Sequence, residues 1–335
     1  MPTIGVIGAG SWGTTLANLL AKKGFETRLW AREAEVVAEL SQRHENGIYL
    51  PGFTLDERLQ ATTSIGDAVA GADVVVSVSP AQHVRSVMTQ VAAAMRPSAL
   101  VVSASKGIEK DTLCTMAGVL RDVLPADARD RAAFLSGPSF AREVAAERPT
   151  AVTVASFAPD AARAAQQLFQ TPYFRVYTGA DVEGVELGGA LKNVIALAAG
   201  MSSGLGLGHN ALAALITRGL AEISRLGIQL GANPLTFAGL AGMGDLILTC
   251  TGELSRNRSV GYELGKGRRL HDILGGMTMV AEGVDTTRAA YKLARRERID
   301  MPIVDVVHAV LFEGMHAREA VESLMLREPK AELWR

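Results

Sequence analysis

Gly8-Ala9-Gly10-Ser11-Trp12-Gly13 is the stretch on which the reading of the whole chain turns. It is a G-x-G-x-x-G that follows a short β-branched segment at 3–7 and opens a helical pattern at 14–23. In that strand–loop–helix setting Gly8, Gly10 and Gly13 allow a tight turn, close approach of a pyrophosphate, and tight helix–strand packing. The helix N-terminus adds unpaired N–H groups and a partial positive charge toward the phosphates. The competing readings are a tight structural turn, or a loop for another adenine-bearing ligand such as a flavin.

Working outward, the segments 27–30, 74–78, 100–103 and 134–136 are short and nearly all apolar, as buried parallel strands are. Helical patterns such as 84–95 alternate with them, which predicts a parallel sheet covered on both faces. Segments 151–155 and 175–177 extend that sheet, with a helix at 159–169 between them. After residue 181 the strand-like runs stop and Ala/Leu/Gly-rich helical patterns take over at 185–199, 210–226 and 286–296. Leu212, Leu215, Ile216, Leu220 and Ile223 form a helical stripe, and Pro234 after Asn233 suits the first turn of another helix. The expected fold is α/β: an N-terminal Rossmann domain with a doubly wound parallel sheet (1–180), then an all-helical C-terminal domain (181–335). The polar tail, 327–335, is expected to be partly disordered.

Composition narrows the classes of function. A chain of 335 residues can bury about three quarters of its unfolded surface, so neither metal nor disulfide is required as a staple. The balance of 34 basic and 35 acidic residues gives a net charge of −1, which recommends neither nucleic acid nor an anionic membrane as partner. Two cysteines without C-x-x-C spacing and scattered histidines offer no metal site. The N-terminus enters a strand with no basic segment or cleavage site ahead of it, so no signal peptide is expected. The most apolar stretch, 194–216, is interrupted by Ser202, Ser203, His209, Asn210 and four glycines and reads as core, not as a membrane insertion. A cytoplasmic protein is the expectation.

The dinucleotide is addressed by the end of the second strand, Leu29-Trp30-Ala31-Arg32. NAD sites of this kind usually place an acid there for the ribose 2′-hydroxyl, whereas a guanidinium suits a 2′-phosphate. Arg32 therefore favours NADP(H), with NAD(H) possible because Glu33 follows at once. An exposed arginine that merely starts a helix is the alternative.

Four polar clusters interrupt apolar segments. Ser105-Lys106-Gly107 follows the strand at 100–103, where residues face the ligand crevice of a parallel sheet, although loop lysines are commonly just solvated. In Ser136-Gly137-Pro138-Ser139-Phe140-Ala141, Gly137 admits close backbone and Ser139 can donate to an anion, while a plain turn explains Gly-Pro equally well. Lys192 lies in Gly188-Gly189-Ala190-Leu191-Lys192-Asn193, within an apolar helix. Burial there would lower its pKa and suit it to proton transfer; snorkelling to the surface is the alternative. The two adjacent glycines cost a helix about 1–2 kcal/mol and ask for a packing or ligand reason. Last, Gly244-Asp245 and Leu254-Ser255-Arg256-Asn257-Arg258 offer a carboxylate, hydroxyl, amide and guanidiniums for a phosphorylated small molecule, or a charged loop with an N-cap serine.

With these clusters in order behind the glycine loop, the sequence resembles the bacterial NAD(P)-dependent glycerol-3-phosphate dehydrogenases over nearly its whole length. The resemblance is carried by G-A-G-S-W-G-T (8–14), W-A-R (30–32), Y-L-P-G (49–52), S-K-G (105–107) and G-P-S-F-A (137–141). It continues in E-L-G-G-A-L-K-N-V (186–194), A-L-I-T-R-G-L-A-E (214–222), G-D-L-I-L-T-C-T (244–251), S-R-N-R (255–258) and V-A-E-G (280–283). Ser79, Leu212 and Ser259 depart from the family pattern. The resemblance implies reversible hydride transfer between NAD(P)H and dihydroxyacetone phosphate, giving sn-glycerol 3-phosphate for glycerophospholipid synthesis, in a homodimer. It implies Lys192 as catalytic acid/base and Lys106, Gly137, Ser139, Asp245, Ser255, Arg256 and Asn257 as further substrate contacts. It implies Ser11, Trp12, Arg32, Tyr49, Lys106, Ala141, Arg256, Val280 and Glu282 around the cofactor. Two rivals are a related two-domain dehydrogenase for β-hydroxyacids or sugar acids, and a non-catalytic NADP(H)-sensing protein.

Overall fold

A computed structural model describes residues 1–277, 279–329, 331 and 332. Thr278, Lys330 and 333–335 lie outside the described residues, and with them much of the expected tail; within it, Arg327 pairs with Asp300 at 2.9 Å.

Eight strands form one sheet: β1 (Thr3–Ile7), β2 (Glu26–Trp30), β3 (Leu59–Thr62), β4 (Val74–Ser77), β5 (Leu100–Ser103), β6 (Ala133–Ser136), β7 (Thr150–Ser156) and β8 (Phe174–Gly179). Their order is β3-β2-β1-β4-β5-β6-β7-β8. The order reverses between β1 and β4, so the crevice beyond their carboxyl ends is the place where such a sheet receives a ligand. Strands β4, β5 and β6 are buried throughout, which is why they read as unbroken apolar runs.

Two features differ from the sequence reading. The edge strand β3 was not anticipated: Gln60 and Thr62 break its apolar pattern, and only Leu59 is buried. Strand β7 runs antiparallel to β6, pairing Ser136 with Thr153, before β8 returns parallel to β7. The connection at 137–149 holds only a five-residue helix, Ala141–Ala145. It therefore stays at the carboxyl edge of the sheet and does not cross over to the other edge, as a parallel pair requires.

One core face packs the sheet against helices Ser11–Lys22, Ala34–Arg43 and Pro159–Phe169; the other faces Val84–Ala94 and Met116–Val123. No strand follows Gly179 among the described residues. The helix Val182–Gly204 is buried on nearly all sides, as an all-round apolar helix must be, and it holds the first part of the 194–216 stretch. The second part, from residue 205 on, is half-buried or exposed, so only the first part is core. Around it pack Gly208–Gln229, Arg256–Gly265, Glu282–Arg296 and Pro302–Phe312. By length and a mean hydropathy of 1.2, Pro234–Thr251 could span a membrane. It is nevertheless a series of short helical pieces, and it carries the buried Asp245.

Two buried carboxyls tie helices together. Glu186 of the central helix accepts from Ala117 N (2.7 Å), at the first turn of Met116–Val123. Glu222 accepts from Ile303 N (2.8 Å) and Val304 N (3.3 Å), opening Pro302–Phe312. Burial pushes Glu186 up to about 8 and Glu222 up to about 7, each against the pull of those N–H groups.

Candidate active site

The glycine loop has the geometry its sequence calls for. Gly8 adopts φ +120°, and a Cβ there would lie 2.9 Å from Val78 O. A Cβ on Gly13 would sit 1.8 Å from Gly8 O, so helix and strand can meet only through glycine. At Gly10 a Cβ would meet nothing within 4 Å. Open space thus lies in front of the N-terminus of Ser11–Lys22, whose N–H groups receive no side-chain cap. A dinucleotide pyrophosphate fits that combination.

Residues from distant parts of the chain close around the loop. Ser11 Oγ donates to Tyr49 O and lies 3.3 Å from Met279 Sδ. Buried Asn46, which the sequence reading missed, donates to Ala9 O (2.9 Å) and accepts from Tyr49 N (3.0 Å). Trp12 packs 6.3 Å from Phe174, and Thr15 donates to Ala141 O at 3.2 Å. Arg256 donates to Val280 O at 2.7 Å. Glu282 accepts from Ala81 N at 3.3 Å, and burial pushes its carboxyl up to about 7. Arg32 lies at the end of β2, paired with Glu33. Ser79, where the family pattern is apolar, donates to Ile7 O (3.3 Å) and accepts from Ser105 Oγ (2.6 Å) between β1 and the Lys106 loop.

At the carboxyl edge of β5 and β6 two lysines share one carboxylate. Lys192 Nζ donates to Asp245 Oδ1 at 2.6 Å and to Thr249 Oγ1 at 2.9 Å. Lys106 Nζ donates to Asp245 Oδ2 at 2.7 Å and to Gly137 O at 3.0 Å. An ammonium has three N–H donors, so each lysine keeps one for a ligand. Burial pushes Lys192 down to about 8; the Asp245 charge opposes that fall and Lys106 adds to it. Burial acts to raise Asp245, but the two lysines outweigh it and hold the carboxyl below its ordinary value. The Cys250 thiol beside them is pushed by burial up to about 12 and stays neutral.

The paired glycines of the central helix are explained by packing. A Cβ at Gly188 would lie 2.6 Å from Ala241 O, and one at Gly189 would lie 2.6 Å from Ser136 Oγ and 3.6 Å from the Lys106 side chain. The helix is thereby pressed onto both the Leu240–Gly244 π-helical turn and β6, and Lys192 reaches Asp245. Thr249 lies one turn beyond Asp245 on the same helix face. That i, i+4 spacing in G-D-L-I-L-T was the signal that could have identified it.

The remaining members of the set are braced within the protein. Ser139 Oγ donates to Gly137 O (3.0 Å), and Ser255 Oγ takes the N-cap of Arg256–Gly265 by accepting from Arg258 N (3.2 Å). Asn257 donates to Asn193 Oδ1 (2.9 Å) and accepts from Gly283 N (2.9 Å), which leaves one amide N–H for a ligand. No group of three or more His, Cys, Asp or Glu side chains is placed to hold a metal among the described residues.

Comparison with known proteins agrees along the chain. Residues 3–162 match the family described as NAD-dependent glycerol-3-phosphate dehydrogenase N-terminus, and 181–322 match its C-terminus. A glycerol-3-phosphate dehydrogenase (NAD(P)+) of Geobacter metallireducens (strain ATCC 53774 / DSM 7210 / GS-15) is 62% identical over 329 residues, 98% of either chain. The crystal structure of glycerol-3-phosphate dehydrogenase from Coxiella burnetii superposes with a TM-score of 0.93 at 38% identity, covering 97% of this chain and 99% of that one. The enzyme of that name from Saccharomyces cerevisiae gives 0.81 at 28% identity, over 96% and 99%.

Proposed function

The chain belongs to the NAD-dependent glycerol-3-phosphate dehydrogenase family, NAD(P)-dependent oxidoreductases, and from that premise we propose what its own residues contribute to the reaction. The reaction is reversible reduction of dihydroxyacetone phosphate to sn-glycerol 3-phosphate. Bound NAD(P)H supplies a hydride to the carbonyl carbon. The third N–H of Lys192 is directed to the carbonyl oxygen and protonates it as alkoxide character develops, leaving a neutral amine. Thr249 and Asp245 hold the other two N–H groups and so aim the third. Lys106, Ser139, Arg256 and Asn257 bind the phosphate and hydroxyl of the substrate, on a frame built by Gly137, Ser255 and Asp245. Gly8, Gly10, Ser11, Trp12, Gly13, Arg32, Tyr49, Lys106, Ala141, Arg256, Val280 and Glu282 receive the dinucleotide. Arg32 inclines that site toward NADP(H).

The observation that carries this reading is the buried Lys192 ammonium, with two donors committed and one to spare beside the crevice of the sheet. The end of β8 at Gly179 and the helix start at Val182 support a division into a dinucleotide domain, 1–180, and a helical substrate domain, 181–335. A cytoplasmic homodimer supplying glycerophospholipid synthesis is the setting that accompanies the reading.

The test is loss of NADPH, and separately NADH, on adding dihydroxyacetone phosphate between pH 6 and 10. For reduction, kcat/KM is expected to be level at low pH and to fall above about 8 as Lys192 loses its proton. For oxidation of glycerol 3-phosphate it is expected to rise through the same pH. Turnover of 3-oxo acids with none of dihydroxyacetone phosphate would sink the substrate assignment. A reduction profile without a fall up to pH 10 would remove Lys192 as the acid.

A further inference from the structure

We propose that Glu33 sets the choice between the two nicotinamide dinucleotides. It occupies the N-cap position of Ala34–Arg43 but makes no side-chain cap there. Its Oε1 instead accepts both Nε (3.0 Å) and Nη2 (2.8 Å) of Arg32. The Glu33 side chain is drawn in, 27% exposed, whereas the Arg32 side chain is 77% exposed. Glu33 also faces the Tyr49 phenol, whose ionisation is pushed up by burial and then by the Glu33 charge. The carboxylate thus stands between Arg32, read as addressing the ribose 2′ position, and Tyr49, read as lining the cofactor, just past β2, whose Trp30 pairs with Ile7 next to Gly8.

The two dinucleotides meet this pair differently. A 2′-hydroxyl can donate to the carboxylate, which has lone pairs beyond those the guanidinium uses. A 2′-phosphate attracts the three N–H donors that Arg32 does not spend on Glu33, yet brings up to two negative charges against the same carboxylate. Glu33 therefore supports NADH and opposes NADPH, and its repulsion is the discriminating element. The inference rests on the reading of this edge as the ribose site.

Glu33→Gln keeps the shape and removes the charge. The NADPH-to-NADH ratio of kcat/KM is expected to rise about tenfold, with the NADPH KM falling and the NADH KM rising. Glu33→Ala should move the ratio in the same direction, and thermal melts check that both variants fold. A ratio within twofold of wild type in both would overturn the proposal. Arg32→Ala, assayed beside them, separates the two levels of failure. Weaker NADPH use in Arg32→Ala with an unmoved ratio in the Glu33 variants refutes the role of Glu33 alone. If none of the three variants alters use of either dinucleotide, the ribose site is elsewhere and both readings fail.

Discussion

Lys192→Ala is expected to lower kcat for dihydroxyacetone phosphate reduction by about 1,000-fold, with the folded protein still binding dinucleotide. The methyl group can neither give a proton to the alkoxide nor place positive charge beside it. The fold should survive, because Asp245 keeps Lys106 at 2.7 Å and is not left as an unpaired buried charge. Lys192→Met fills the same volume without the charge and should show the same loss, which separates chemistry from packing. The measurement is single-turnover reduction beside dinucleotide titration. Loss of less than about tenfold in both variants would mean that another group delivers the proton.

Asp245→Asn should be nearly as severe by a different route. The carboxylate is what holds the Lys192 pKa up against burial, so its loss lowers that pKa further and shrinks the protonated fraction near neutrality. Reduction at pH 7.5 is expected to fall about 100-fold, and the descending limb of the pH profile should move to lower pH. Recovery of rate on acidification would distinguish a displaced pKa from a collapsed site. Asp245→Ala, which leaves the buried Lys192 ammonium beside the half-buried Lys106 ammonium with neither charge nor amide between them, should also destabilise by about 3–5 kcal/mol in denaturant unfolding. An Asn variant whose pH limb stays in place would show that Asp245 does not govern Lys192.

Strand–helix alternation was legible because buried parallel strands are short apolar runs, and the segments at 3–7 and 100–103 coincide with β1 and β5. Strand β3 was illegible because an edge strand needs little apolar surface. The reversal at β7 was hidden because strand direction is set by the length and path of the preceding connection, not by the residues of the strand. In the site, Lys192 announced itself as a charge inside an apolar helix. Thr249 and Asn46 did not, since a threonine in a helix and an asparagine in a loop are ordinary until their partners are known. What joins Lys106 to Lys192, far apart in sequence, is a single carboxylate at 245.

The two carboxyls that tie helices together, and Glu282 beside the glycine-loop crevice, make folding a proton-consuming reaction. Glu186, Glu222 and Glu282 ionise near the ordinary glutamate value of 4.5 when unfolded, but only at about 8, 7 and 7 when folded. Between those values the folded state holds protons that the unfolded chain has released, so stability falls as pH rises from about 4.5 toward 8. Melting temperature should decline across pH 5 to 8, with Glu222→Gln flattening the slope; a steady rise over that range would contradict the assignment. The same climb in pH takes the proton from Lys192, so loss of stability and loss of reductive capacity approach together from the alkaline side.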